Sequence, residues 1–287
     1  MTFIPASLMT GPTRPGTVLA TGWAYIFTGI MLLFSLFPVY WVLATSLKTK
    51  RDGLANPPLW IFDPTTANYL KLWTHETFKS TFINSVIVTV IGIALSLAIA
   101  IPTAYAIVRM KVRGQNLVGA WLILAYMLPE FLFVLPMFSF YQWTGLYDTH
   151  VGLALMYQVH VLPLSIWLLS SFFREINPAI DEAARMEGAS HLQVLMKIYI
   201  PCTLPGLMAT VILNAIWIWN ELAIALGLTF SKAQTVTLGV TSFRGYAALD
   251  WGAMTAASIV AIFPMLVFAV IAQRHIVKGL TLGAVKG

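Results

Sequence analysis

Charge is scarce in this 287-residue chain: Asp, Glu, Lys and Arg make up 10% of it, against about 25% in an ordinary soluble domain. A chain so poor in charge cannot cover a globular surface in water. That excludes a soluble enzyme, a disordered tail and a typical nucleic-acid binder. Cysteine is nearly absent. The single one, Cys202, cannot close an intrachain disulfide, so there is no redox framework. The five histidines are scattered without metal-ligand spacing, and no nucleophile constellation accompanies them, which argues against a membrane enzyme. No G-x-x-x-x-G-K-[ST] sequence occurs, so the chain has no P-loop of its own. What is abundant is apolar. Hydrophobic residues make up 59% of the chain, and the mean hydropathy of +0.80 points to lipid as the solvent. The net charge of +6 is spread along the chain, which reads as an orientation signal rather than a basic groove.

Uncharged stretches run from Trp23 to Thr45, Phe82 to Val108, His150 to Phe173, Pro205 to Asn220 and Trp251 to Gln273. A sixth, Leu117 to Tyr141, carries one charge, Glu130. With flanks, each reaches roughly the 20 residues that cross a bilayer core. Lipid cannot satisfy exposed backbone groups, so the stretches must be helical. The expected fold is an all-α integral membrane protein with six transmembrane helices. With both termini inside, ten Lys and Arg face the cytoplasm and seven face out. The short loop after the second span, with Arg109, Lys111 and Arg113, supports that orientation, whereas Lys48, Lys50 and Arg51 close to the first span count against it. Gly92, Ser96 and Ala100 form a stripe of small residues suited to close helix packing. Pro102, Pro129, Pro136, Pro163 and Pro264 lie within spans and are candidate kinks.

The segment between the fourth and fifth spans is different. Arg174, Glu175, Asp181, Glu182, Arg185, Glu187 and Lys197 place it in water. Asn177 is a candidate cap, and Pro178 suits the first helical position. Asp181 and Glu182 sit near the positive end of the helix dipole. The spacing predicts a helix through Met186 that stops at Gly188. Ser190 and Gln193 then form a capping-box pattern. It starts a second short helix, His191 to about Ile200, ended by Pro201. Two short helices hinged at a glycine make an L-shaped knob. Ala183 and Ala184 would let another surface approach the backbone, beside the directional carboxylate of Glu182.

Glu182-Ala183-Ala184, three residues, Gly188, nine residues, Ile198, one residue, then Ile200-Pro201 resembles the EAA loop of binding-protein-dependent ABC importer permeases. Only Ile200 departs from that family's E-A-A-x3-G-x9-I-x-L-P, in place of Leu. Trp219-Asn220-Glu221 is similar to the W-N-[DE] of carbohydrate permeases. The tail, from Gln273-Arg274 through Gly279-Leu280-Thr281 to Gly283-Ala284-Val285-Lys286-Gly287, resembles the maltose-type subfamily. So does the first external loop, Pro57 to Trp73. The resemblance implies the type I importer fold. It implies residues 1–81 as N-terminal segment, first span and external loop, 82–275 as permease core with a coupling loop over about 175–201, and 276–287 as a cytoplasmic tail. The implied partners are a second homologous permease subunit, two ATPase subunits, an extracytoplasmic solute-binding protein and a carbohydrate substrate in a bacterial inner membrane. ATP and Mg2+ would reside on the ATPases and no cofactor on this chain. The implied ATPase-coupling residues are Glu182, Ala183, Ala184, Gly188, Ile198 and Pro201. Lys278, Lys286 and Gly287 of the tail would reach between the ATPases.

Glu130 and Glu221 are the carboxylates within spans, and no Lys or Arg joins them there. An ionisable group at membrane depth faces a partner, a wet cavity or a ligand. Glu130, His160, Trp217, Asn220 and Glu221 are therefore candidates for the substrate pathway. Simple interhelix hydrogen bonding is the alternative for each carboxylate, and a satisfied interior histidine for His160. Tyr126, Tyr157 and Trp219 could also stack on a sugar. A secondary carrier would instead require coupling-ion residues and internal repeats. No convincing repeat is visible, and that reading leaves the Glu182 loop without a role.

Overall fold

The computed structural model describes residues 15–284 apart from 111, 113 and 244–248, with the side chains of 23–271 other than that of 116. No strand occurs among the described residues. Helix α1 (Pro15–Ser46) is followed by two short helices, α2 (Lys50–Gly53) and α3 (Ala67–Thr74), then by α4 (Glu76–Arg109). A bent pair comes next, α5 (Gln115–Met127) and α6 (Phe131–Thr144), and then α7 (His150–Glu175). Three short helices, α8 (Pro178–Met186), α9 (His191–Val194) and α10 (Ile200–Cys202), lead into α11 (Leu204–Asn220). Helices α12 (Ala223–Leu228) and α13 (Val236–Gly239) precede α14 (Trp251–Ala284).

Four helices, α1, α4, α7 and α14, are long and apolar enough to cross a bilayer alone. Two bent pairs bring the number of spans to the expected six. The third span is not one helix. It breaks between Met127 and Phe131 with a bend of 96°. Leu128 precedes Pro129 and is extended, at φ −71 and ψ 133, because the proline ring crowds the α conformation of the residue before it. Glu130 therefore sits at a break, as the N-cap of α6, and not in mid-helix. Pro102, Pro136, Pro163 and Pro264 all lie inside unbroken helices. At the fifth span, α11 meets the preceding segment His191–Cys202 at 79°, with Thr203 at the corner. The second short helix was expected to end at Pro201. It instead runs on as a π turn, Leu195–Tyr199, and then α10 through Cys202. The π turn leaves Pro201 in the first turn of α10, where a missing N–H goes unneeded.

The centre of the bundle is the pair α4 and α7. His150 bonds Asn84, Gln158 donates to Gly92 O, the Ser96 and Ser165 hydroxyls meet, and Arg109 donates to Phe173 O. These partners are 64 to 69 residues apart along the whole length, so the helices run parallel. The small stripe serves this packing: Gly92, Ser96 and Ala100 are all buried. A Cβ on Gly92 would stand 2.8 Å from Ile218 Cδ1 of α11. Asn214 of α11 donates to both Ser96 and Ser165, joining three spans through bonds worth about 0.6 kcal/mol each at this depth. The window of α7 that would span the bilayer is 50% buried and that of α1 is 0% buried. Helix α1 thus lies at the periphery against lipid or another subunit.

Candidate functional site

The break at Pro129 creates the site. It turns the chain so that Tyr126 and Glu130 face α7 and α11 across a cavity of about 540 Å³. His160 and Leu164 line it from α7, and Trp217 and Asn220 from α11. The cavity also reaches Glu221, so all five pathway residues expected from the sequence line one space. Glu130 makes no cap bond to its own helix. Its Oε1 lies 3.6 Å from His160 Nδ1. The imidazole stacks on Trp217 with ring centres 4.3 Å apart and 12° between planes, and Tyr126 lies against it at 4.5 Å. The wall thus joins three flat rings to a carboxylate that is one-third exposed, at 32%. It offers acceptors, an imidazole of either polarity, and π faces.

Glu221 has a different task. It falls just past α11 as the C-cap, in extended conformation. Its two oxygens accept the backbone N–H groups of Ile224, at 2.6 Å, and Ala225, at 3.1 Å. The carboxylate caps α12 where free N–H groups concentrate positive charge. Trp219 donates to Ala261 O at 3.0 Å and meets Phe82 edge-on. Trp219 and Glu221 are thus both bonded into the bundle, and exposed Asn220 stands at the rim, its amide donating to Ile216 O.

At the end of α7 the knob forms much as the residues dictate. Asn177 Oδ1 accepts Ala179 N–H, and Pro178 opens α8. Gly188 ends the turn with φ +88. Both bonds of the Ser190–Gln193 capping box are present. Glu182, Ala183, Gly188 and Pro201 are exposed, and Ala184 and Ile198 are half-buried. A depression of about 390 Å³ lies between the short helices, bordered by Ala184, Gly188, Val194 and Ile198. Met186 is 89% exposed and Leu192 68%. Asp181, expected only to favour the helix dipole, is buried against Tyr105 and accepts its hydroxyl at 3.4 Å. The side chain of Lys278, and Lys286 and Gly287 altogether, lie outside the described residues.

At the opposite end, Asp148 gathers the loop after α12. Its carboxylate accepts the backbone N–H groups of Phe230, Ser231, Lys232 and Ala233 at 2.9–3.2 Å. Burial pushes this carboxyl up, but those backbone donors together outweigh it and hold it below the ordinary carboxylate range.

Six apolar spans, a cavity among them lined by Glu130, His160 and Trp217, and an apolar-tipped knob define a subunit of a membrane transporter, not an anchor. Residues 92–281 match the family described as binding-protein-dependent transport system inner membrane component, and the chain belongs to that family. It is a multi-pass permease subunit of an ATP-driven ABC importer, with ATP hydrolysis on separate subunits. The chain is 38% identical over 274 residues to the trehalose transport system permease protein SugB of Mycobacterium tuberculosis, covering 93% of this chain and 98% of that one. It is 32% identical to the trehalose/maltose transport system permease protein MalG of Thermococcus litoralis, covering 90% and 94%. Among solved structures, a bacterial ABC transporter involved in the import of the acidic polysaccharide alginate contains a chain of the same fold. The TM-score is 0.78 at 21% identity, over 92% of this chain and 99% of that chain.

Proposed function

We propose that this permease forms half of the pathway for a carbohydrate or related polyol, and that Glu130, His160 and Trp217 contact it, with Asn220 at the rim. The observation that carries this reading is the ring stack beside the carboxylate. Sugars present C–H faces that rest on aromatic rings and hydroxyls that seek acceptors. A space of about 540 Å³ lies within the range of small-ligand sites, about 300–1,000 Å³. Relatives named for trehalose and maltose transport support the same class. Glu221 lines the space but is occupied by α12, so it holds the wall rather than the solute.

The rest of the assembly follows from the same reading. A second homologous permease completes the pathway, a solute-binding protein delivers from outside, and two ATPases dock below, one on each permease's knob, here through Glu182, Ala183, Ala184, Gly188, Ile198 and Pro201. The tail, with Lys278, Lys286 and Gly287, reaches between the ATPases. ATP and Mg2+ stay on those subunits. Both termini face the cytoplasm.

Glu130→Gln and Glu130→Leu test the pathway role. Gln keeps shape and an acceptor, so transport persists. Leu removes about 1–3 kcal/mol of hydrogen bonding, and transport falls roughly ten- to hundredfold while the complex still assembles. Normal transport by the Leu variant would exclude ligand contact, and loss of assembly would make Glu130 a packing element. Orientation has its own test. With Cys202 replaced, a cysteine substituted for Thr66 is labelled by a membrane-impermeant thiol reagent in intact cells, and one substituted for Gly283 is protected. The reverse pattern would invert the topology.

A further inference from the structure

The knob is exposed on its outer side but clamped on its inner side, and the clamp comes from one face of α4. Tyr105 and Arg109 lie four residues apart, one turn along the helix. Tyr105 reaches both short helices: its hydroxyl meets Asp181 of α8 at 3.4 Å and His191 Nδ1 of α9 at 3.1 Å. Arg109 reaches the π turn and the end of α7, donating to the Tyr199 hydroxyl and to the carbonyls of Phe173 and Ile176. The Tyr105 and Tyr199 rings pack edge-on at 5.0 Å, and Tyr199 packs against Phe173 in turn.

The polarity of this cluster is determined by its buried acid. Asp181 is 9% exposed, and the Tyr105 hydroxyl is its hydrogen-bond donor. A buried carboxylate needs a donor, so the Tyr105 proton goes to Asp181. The hydroxyl then accepts from His191 Nδ1–H. One chain of donors, His191 to Tyr105 to Asp181, ties both knob helices to α4.

We infer that Tyr105, Arg109 and Asp181 are positioning residues that make the knob and α4 a single rigid body. Resting on the coupling reading of the knob, this names the route by which its displacement enters the membrane. From Tyr105 the rigid element is α4 itself. At its other half Gly92 lies against Ile218 of α11, next to Trp217 of the cavity wall. A movement of the knob therefore carries α4 against the residue beside the ring stack. Glu182 and Ala183 grip the ATPase; the Tyr105 cluster delivers the stroke.

The test separates gripping from delivery. Tyr105→Phe and Asp181→Leu each strip a buried bond yet leave the outer face of the knob unchanged. The ATPase should still co-purify and hydrolyse ATP, while solute moved per ATP falls about tenfold. Asp181→Asn keeps an acceptor for Tyr105 and should restore most of the transport. Parent-like transport in both stripped variants would overturn the inference. So would loss of the ATPase from the pull-down, because the cluster would then serve only to shape the knob. Failure of the parent itself to co-purify with an ATPase would instead sink the coupling reading. If the variants do not fold, spin labels at Ala189 and Met110 of the parent complex decide. A separation unchanged between ATP-bound and nucleotide-free states supports the rigid body, and a changed one overturns it.

Discussion

Glu182→Lys should release the ATPase from this permease. The carboxylate is exposed on α8, and no side-chain hydrogen bond or ion pair to it is seen among the described residues, so it is free for a basic group on the partner. Reversing its sign brings like charges together at an interface, costing about 2–5 kcal/mol. Ala183→Trp acts by volume alone on the same exposed face. Gly188→Val has the mildest effect. At φ +88 a β-branched residue is strained, but nothing lies within 4 Å of the position its Cβ would take. The cost there is conformational, about 1–2 kcal/mol. The expected order of damage in an ATPase pull-down is Glu182→Lys and Ala183→Trp well ahead of Gly188→Val. The membrane helices and the cavity are untouched, so insertion should stay normal. Transport should fall with docking, at least tenfold for the first two. If all three variants hold the ATPase and transport like the parent, the knob is only a connector.

What was legible in the sequence was local. Pro178, Asn177, Gly188 and the Ser190–Gln193 pair encode the knob through bonds that span four residues or fewer, and each formed as their chemistry requires. The break at Pro129 was legible in principle. Its apolar surroundings, Leu117 to Tyr141, read as one continuous span and hid it. The capping role of Glu221 was also within reach, since its acceptors meet N–H groups three and four residues on. The Tyr105 cluster was not. Its partners lie 76 and 86 residues away. They meet because α4 and α7 run parallel, and no periodicity in either helix announces that pairing. The candidate cavity was half visible. Polar residues in spans flagged its members, but only the bend that moves Glu130 out of mid-helix sets it 3.6 Å from His160.

Gly152→Val should strongly destabilise the folded state. Gly152 opens α7 just beyond Thr149, whose hydroxyl accepts its N–H at 3.0 Å. Its carbonyl accepts the buried Tyr141 hydroxyl at 2.9 Å. A Cβ added here would stand 2.2 Å from the Leu146 carbonyl oxygen and 2.9 Å from Thr149 Oγ1. Leu146 O cannot step aside, because Thr149 Oγ1 already donates to it at 2.7 Å. Relief would require moving the turn between α6 and α7, and with it Asp148 and the loop it gathers. At most crowded glycines among the described residues the clash is with a side chain: Phe172 at Gly206, Val134 at Gly227. Those can rotate; a hydrogen-bonded backbone cannot. Overpacking of this kind costs about 1–3 kcal/mol where neighbours can yield and more where they cannot. Gly119 on α5 is the matched control, with nothing within 4 Å of its added Cβ. Gly119→Ala should be neutral or stabilise the helix by about 0.5–1 kcal/mol. The measurement is thermal unfolding and monodispersity of the detergent-purified complex. Gly152→Val should lower the midpoint or abolish a homogeneous product, while Gly119→Ala leaves both intact. A Gly152→Val complex as stable as the parent would mean that the α6–α7 turn yields, and that Asp148 does not fix it.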